Sequence, residues 1–181
     1  PAINHPFYGE EMEPIRSVCS TTAILMSLLL WPLLATAELL PSADLVLVNK
    51  SQRKLYLMRE GVIYREYRVA LGKNPKGHKQ REGDDRTPEG FYWLDWRNPD
   101  SQYYKAIHVS YPNEKDRTAA KNRKVKPGGM IMIHGMPNFP SKPAKNYQNR
   151  DWTEGCIAVS NEAMEEIWHA VEDDTPILIE P

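Results

Sequence analysis

Apolar and polar residues alternate along three consecutive stretches, 44–49, 54–58 and 62–71. In the first two, Val46 and Val48, then Leu55 and Leu57, fall on one face, with polar or aromatic residues between them. A period of two puts alternate side chains on opposite faces of a strand, so the pattern predicts an antiparallel meander of three half-buried strands. Residues 72–86 are rich in Gly, Lys and Asp and predict an exposed loop. Thr87-Pro88-Glu89-Gly90 is turn chemistry ahead of a strand over 91–95, and 103–111 reads as another strand. Residues 114–124 hold few β formers, so a helix is predicted there with Asn113 as its N-cap, stopped by Pro127-Gly128-Gly129. The continuous apolar run 130–133, ending in His134, predicts a short strand covered on both faces. With Pro137, Pro140 and Pro143, residues 135–150 read as a long loop. After the apolar Ile157-Ala158-Val159, Ser160 or Asn161 is placed to cap a helix over 162–171, whose first turn is acidic as the helix dipole favours. Ile177-Leu178-Ile179 closes the chain as a strand. The fold class expected is a mostly β domain with two helices.

One stretch does not belong to that domain. Residues 17–37 carry no charge, follow Arg16 and end in Ala35-Thr36-Ala37. That is the layout of a secretory signal peptide, with Met12 as its start. The expected organisation is an upstream extension over 1–11, a signal peptide over 12–37 and one domain over 38–181. An uncleaved anchor is the alternative, because a membrane span takes about 20 apolar residues. Pro32 and the small residues at the end favour cleavage, after which no stable membrane insertion is expected. Composition agrees with a globular exported protein: 41% of the residues are hydrophobic and 26% charged. A formal net charge of −1 argues against nucleic acid as a partner.

Of the two cysteines, Cys19 lies inside the signal segment, so the mature domain keeps Cys156 alone. A lone thiol in an oxidising compartment has no internal disulfide to form, which suggests that it has a use. Cys156 follows Gly155, and a glycine there lets the backbone approach its neighbours closely and leaves amide N–H groups for an oxyanion. By itself Cys156 fits a buried structural thiol as well as a nucleophile. His134 ends an apolar strand and precedes Gly135; alone it fits a strand-end histidine bonded to backbone. Together they form a candidate nucleophile–base pair, in which the imidazole is expected to lower the thiol pKa. A third group must hold the ring, and the Gly135 carbonyl is the candidate. His78, His108, His134, His169 and Cys156 show no metal-ligand spacing, and no phosphate-binding loop is present, so neither metal nor other cofactor is expected.

With these residues in hand, the sequence resembles the L,D-transpeptidase family with its YkuD-type catalytic domain. Thr87-Pro88-Glu89-Gly90-Phe91-Tyr92, Ile133-His134-Gly135 and Thr153-Glu154-Gly155-Cys156-Ile157 carry the resemblance, and Tyr111-Pro112-Asn113 is similar to one branch of the family. The resemblance implies a β-sandwich, a periplasmic or cell-wall location, and peptidoglycan stem peptides as the partner. It implies Cys156 as nucleophile, His134 as base and Gly135 as the orienting carbonyl. The Gly155 and Cys156 amides become the oxyanion candidates, with Thr153 and Trp152 beside the substrate. Two positions depart from the family pattern: Glu154 stands where most members have His, and Ala158 where most have Arg facing a substrate carboxylate. Arg150 and Lys105 are candidates to take over that contact, and His108 to face the cleft. The divergent pattern resembles a branch in which some members hydrolyse rather than cross-link. The expected activity is cross-linking or protein attachment by transpeptidation; the alternatives are an L,D-carboxypeptidase using the same pair, or a wall-binding module without catalysis.

Overall fold

A computed structural model describes residues 40–139, 143, 147 and 149–181. The upstream extension and the signal peptide expected over 1–37 lie outside the described residues, as do 140–142, 144–146 and 148 of the loop expected over 135–150. No helix among the described residues is long and apolar enough to cross a membrane.

Eight strands form one sheet: β1 (Leu45–Asn49), β2 (Lys54–Arg59), β3 (Val62–Arg68), β4 (Gly90–Asn98), β5 (Ala106–Val109), β6 (Ile131–His134), β7 (Ile157–Ala158) and β8 (Thr175–Glu180). Their order across the sheet is β3-β2-β1-β8-β4-β5-β6-β7. The antiparallel meander anticipated for the first three strands is present. The whole is a mixed sheet, because β1 runs parallel to β8 and β6 parallel to β7. Beyond β3, Ala70 exchanges both backbone hydrogen bonds with Ala158 of β7, each 2.8 Å, which brings the two margins of the sheet together.

Alternation decides which side is core. Val46, Val48, Leu55, Leu57, Ile177 and Ile179 are all at most 1% exposed and share one cluster. Each such side chain contributes about 1.5–3 kcal/mol when fully buried. Helix α2 (Asn161–Ala170) covers this face with Ala163, Met164, Ile167 and Ala170, a helical spacing that makes one apolar stripe. Its N-cap is Ser160, whose hydroxyl accepts from the Ala163 amide. Helix α1 (Glu114–Asn122) has the anticipated Asn113 cap, completed as a capping box by Asp116. The buried Asp116 also accepts from Tyr92 Oη at 3.0 Å and pairs with His78 Nε2 at 3.0 Å, so the cap locks the helix onto β4 and the preceding loop.

Three expectations change. The strand expected over 62–71 stops at Arg68, because Val69, Ala70 and Leu71 turn to pair with Arg53 and with the segment that carries Cys156. The strand expected over 103–111 is reduced to β5: Lys105 takes a left-handed φ of 47°, and Tyr103 bridges Pro137 instead. The loop over 72–86 is not wholly exposed, since Lys79 within it is 3% exposed.

Candidate active site

Cys156 is positioned by a segment fastened along its length. The Trp152 and Thr153 amides both donate to Leu71 O at 3.1 Å, and Lys73 N–H donates to Thr153 O at 2.9 Å. Asp151 accepts from the Leu71 amide at 2.9 Å and from both Nε and Nη2 of Arg53, at 3.0 and 2.8 Å. Sequence reasoning did not single out Asp151. Thr153 Oγ1 accepts from the Gly155 amide at 3.2 Å and donates to Cys156 O at 2.7 Å, closing the turn. Gly155 sits at φ 134°, and a Cβ there would lie 2.7 Å from Arg86 O. Only glycine accepts both conditions.

The thiol emerges one residue before β7. It is half-buried, with Sγ donating to Met130 O at 3.6 Å and the Met132 amide facing it. His134 ends β6, the neighbouring parallel strand, and is 2% exposed. Its Nδ1 lies 2.7 Å from Gly135 O. A carbonyl only accepts, so Nδ1 carries the proton and Nε2 keeps a free lone pair. Gly135 has no room for a side chain: a Cβ would lie 2.7 Å from Asn161 Oδ1 and 2.8 Å from Tyr104 O. Tyr103 packs tilted against the imidazole at 4.2 Å between ring centres, and Trp152 meets it edge-on at 5.8 Å.

His134 and Cys156 line the same cavity of about 450 Å³, together with Tyr103, Trp152, Thr153 and Lys79. A second cavity of about 450 Å³ shares Tyr103 and Trp152 with it. Burial dominates the electrostatics. It pushes the His134 pKa down to about 4, against the smaller raising effect of the Gly135 carbonyl. Burial also pushes the Cys156 thiol up, which the Met132 amide and Lys79 only partly offset. The expectation of a thiol acidified by its histidine is therefore reversed: at neutral pH both groups are uncharged at rest.

Other residues singled out from the sequence lie elsewhere or are engaged differently. The Gly155 amide already has the Thr153 hydroxyl as its acceptor. His108 is not part of the cavity wall; its Nδ1 lies 2.7 Å from Asp95 Oδ1 and its ring stacks on Trp96 at 4.7 Å. Arg150 is exposed and outside the wall. Lys105 is also outside it, bonded to Glu165 at 2.6 Å and resting over Trp168. Tyr103 and Lys79, by contrast, line the cavity without having been singled out. Among the described residues no group of His, Cys, Asp and Glu is arranged to hold a metal ion.

Comparison with known proteins bears on this geometry. The model of the YkuD family, the L,D-transpeptidase catalytic domain, matches residues 43–179. The chain belongs to the L,D-transpeptidase family. Within it, the chain is 33% identical over 142 residues to a protein of Escherichia coli strain K12 named "Putative L,D-transpeptidase YafK", covering 74% of this chain and 49% of that protein. The helical cell shape determining protein Pgp2 from Campylobacter jejuni is 32% identical, with a TM-score of 0.57 over 75% of this chain and 46% of that one. Bd1075 of Bdellovibrio bacteriovorus is also 32% identical, with a TM-score of 0.51 over the same shares. The L,D-transpeptidase of Xylanimonas cellulosilytica, 17% identical with a TM-score of 0.51 over 77% of this chain and 61% of that one, shares the fold. The chain spans about half the length of the curated relatives it matches. Within the matched residues, His134 ends β6 and Cys156 leads into β7, and both line the cavity.

Proposed function

We propose that the chain is a cysteine acyltransferase acting on peptidoglycan stem peptides. The observation that carries this is the shared cavity of Cys156 and His134, with the imidazole held through Nδ1 by Gly135 so that Nε2 is left for the thiol. In the reaction, His134 Nε2 takes the thiol proton as Sγ attacks the carbonyl at the L-centre of the diamino acid in a tetrapeptide donor. The Cys156 amide stabilises the oxyanion, in place of the Gly155 amide. Collapse of the tetrahedral intermediate forms the thioester and breaks the C–N bond to the terminal D-alanine, whose amine receives the proton from His134. An amine of a second stem peptide then attacks the thioester and restores the thiol. Neutral resting partners suit this sequence, since proton transfer accompanies attack rather than preceding it. Export to the periplasm or cell wall by the signal segment belongs to the same reading.

A second reading, in which water resolves the thioester, is favoured by Ala158. This residue is 1% exposed and its backbone is paired on both sides, so no substrate contact comes from that position. Incubation with tetrapeptide muropeptides tests both: dimers support transfer, and tripeptides alone support hydrolysis. Unchanged turnover in Cys156→Ala would rule out both readings, and no turnover by the wild-type chain would leave a wall-binding role.

A further inference from the structure

Two lysines are buried near the loop that precedes β4: Lys50, 2% exposed, and Lys79, 3% exposed. A buried ammonium group is costly unless its hydrogens find acceptors. Lys50 meets that demand in full, donating to Gly77 O at 2.8 Å, Thr87 O at 3.0 Å and Glu89 Oε1 at 2.8 Å. It has no part in the wall of the Cys156 cavity. Lys79 is different on both counts. It donates to Asp84 Oδ1 at 2.9 Å and to Arg81 O at 3.2 Å, and its third hydrogen has no partner among the described residues. It lines the cavity beside Cys156, whereas Asp84 does not.

Asp84 is also a divided counter-ion. Its carboxylate accepts from the Gln80, Arg81 and Arg86 amides at 2.7, 3.1 and 3.2 Å. Much of its charge is thus directed into the loop backbone. The other charges on the wall do not change the balance in favour of a cation: Lys73 is paired at 3.6 Å with Glu154, and Glu82 is acidic. A positive group with one hydrogen left open among the described residues therefore lines the same cavity of about 450 Å³ as Cys156.

We propose that Lys79 is the carboxylate-recognition residue of this cavity, its open N–H taking a carboxylate oxygen of the acyl donor bound over Cys156. Under the function proposed above, that group is the terminal carboxylate of the stem peptide. Only the identity of the carboxylate rests on that reading. Lys79 thereby fills the role that Ala158 leaves vacant and that neither Arg150 nor Lys105 is placed to take.

Alkylation of Cys156 reads the charge preference without any turnover. The full chain is treated with iodoacetate, which is anionic, or iodoacetamide, its neutral counterpart, and the Cys156 peptide is quantified by mass spectrometry. 2-Mercaptoethanol supplies the intrinsic ratio of the two reagents. A charge-assisted hydrogen bond is strong enough for the wild-type ratio of iodoacetate to iodoacetamide rates to exceed that reference about tenfold. Lys79→Met should bring the ratio to within about twofold of the reference, and Lys79→Arg should keep most of the preference. A wild-type ratio no higher than the small thiol's overturns the proposal, and needs no variant to fold. So does a Lys79→Met protein in which both reagents slow equally, since that marks a general effect on the thiol. With stem peptides, Lys79→Met should raise KM for a donor ending in a free carboxylate and leave a C-terminally amidated donor unaffected. If the alkylation preference is present while tetrapeptides are not consumed, the anion site stands and the substrate assignment falls.

Discussion

His134 is neutral because it is buried, and that single fact shapes the chemistry expected at the residue scale. With its pKa held at about 4, the imidazole stays able to accept a proton through most of the acid range. The acid limb of kcat/KM for stem-peptide turnover should therefore lie near pH 4, well below an ordinary histidine at about 6.5. A pH–rate profile checks this, and an acid limb near 6.5 would count against His134 as the base. Burial pushes the Cys156 thiol the other way, so its thiolate is scarce at neutral pH. Its reaction with iodoacetamide should keep rising above about pH 8.5, the free-thiol value, rather than level off near 6 as an acidified catalytic thiol does. The roles of Cys156, His134 and Gly135 could be suggested from short motifs, because each lies next to a residue that marks it. Lys79 could not. It lies in a polar stretch whose composition signals an exposed loop, and that composition does not show that the side chain is buried. Tyr103 escaped for a similar reason, since a strand pattern hides the left-handed turn at Lys105 that frees it to meet His134.

At the scale of elements, the segment from Asp151 to Ala158 is held by its anchors more than by regular structure. Asp151→Ala would leave the Leu71 amide and the Nε and Nη2 of the partly buried Arg53 without their acceptor. A loss of about 2 kcal/mol is expected in urea unfolding, together with lower turnover, because the same anchor sets where Cys156 sits. Gly155→Ala is the sharper test. The backbone conformation alone costs about 1–3 kcal/mol for a residue with a side chain, and the Cβ would press on Arg86 O. Its folded fraction should fall in the same assay even though the substitution adds one methyl group. The elements themselves were legible where local rules and tertiary packing agree. Asn113 and Ser160 cap their helices as the sequence suggests, and the alternation in β1 and β2 marks their buried faces correctly. Strand ends were not, because Ala70 and Leu71 continue the apolar pattern of β3 while leaving it for another partner. No local periodicity encodes that exchange.

For the whole molecule, burying His134 carries a stability cost in acid. An unfolded histidine takes up a proton near pH 6.5, whereas the folded one resists until about pH 4. Between those values the unfolded state binds more protons, so stability is complete above about 6.5 and falls as pH drops towards 4. The loss from this one group is about 3 kcal/mol over that window. Urea titrations at pH 7 and pH 4.5 should show it, and a His134→Gln protein should lose correspondingly less stability on acidification. A different consequence follows from the place of β8. It lies between β1 and β4, and among the described residues, apart from the bridges made by Ala70 and Gly72, it is the only strand that joins β1–β3 to β4–β7. During synthesis the ribosome delivers this keystone after every other strand. Until it arrives, the edges of β1 and β4 that it pairs both stay open, so neither half-sheet can close onto the other.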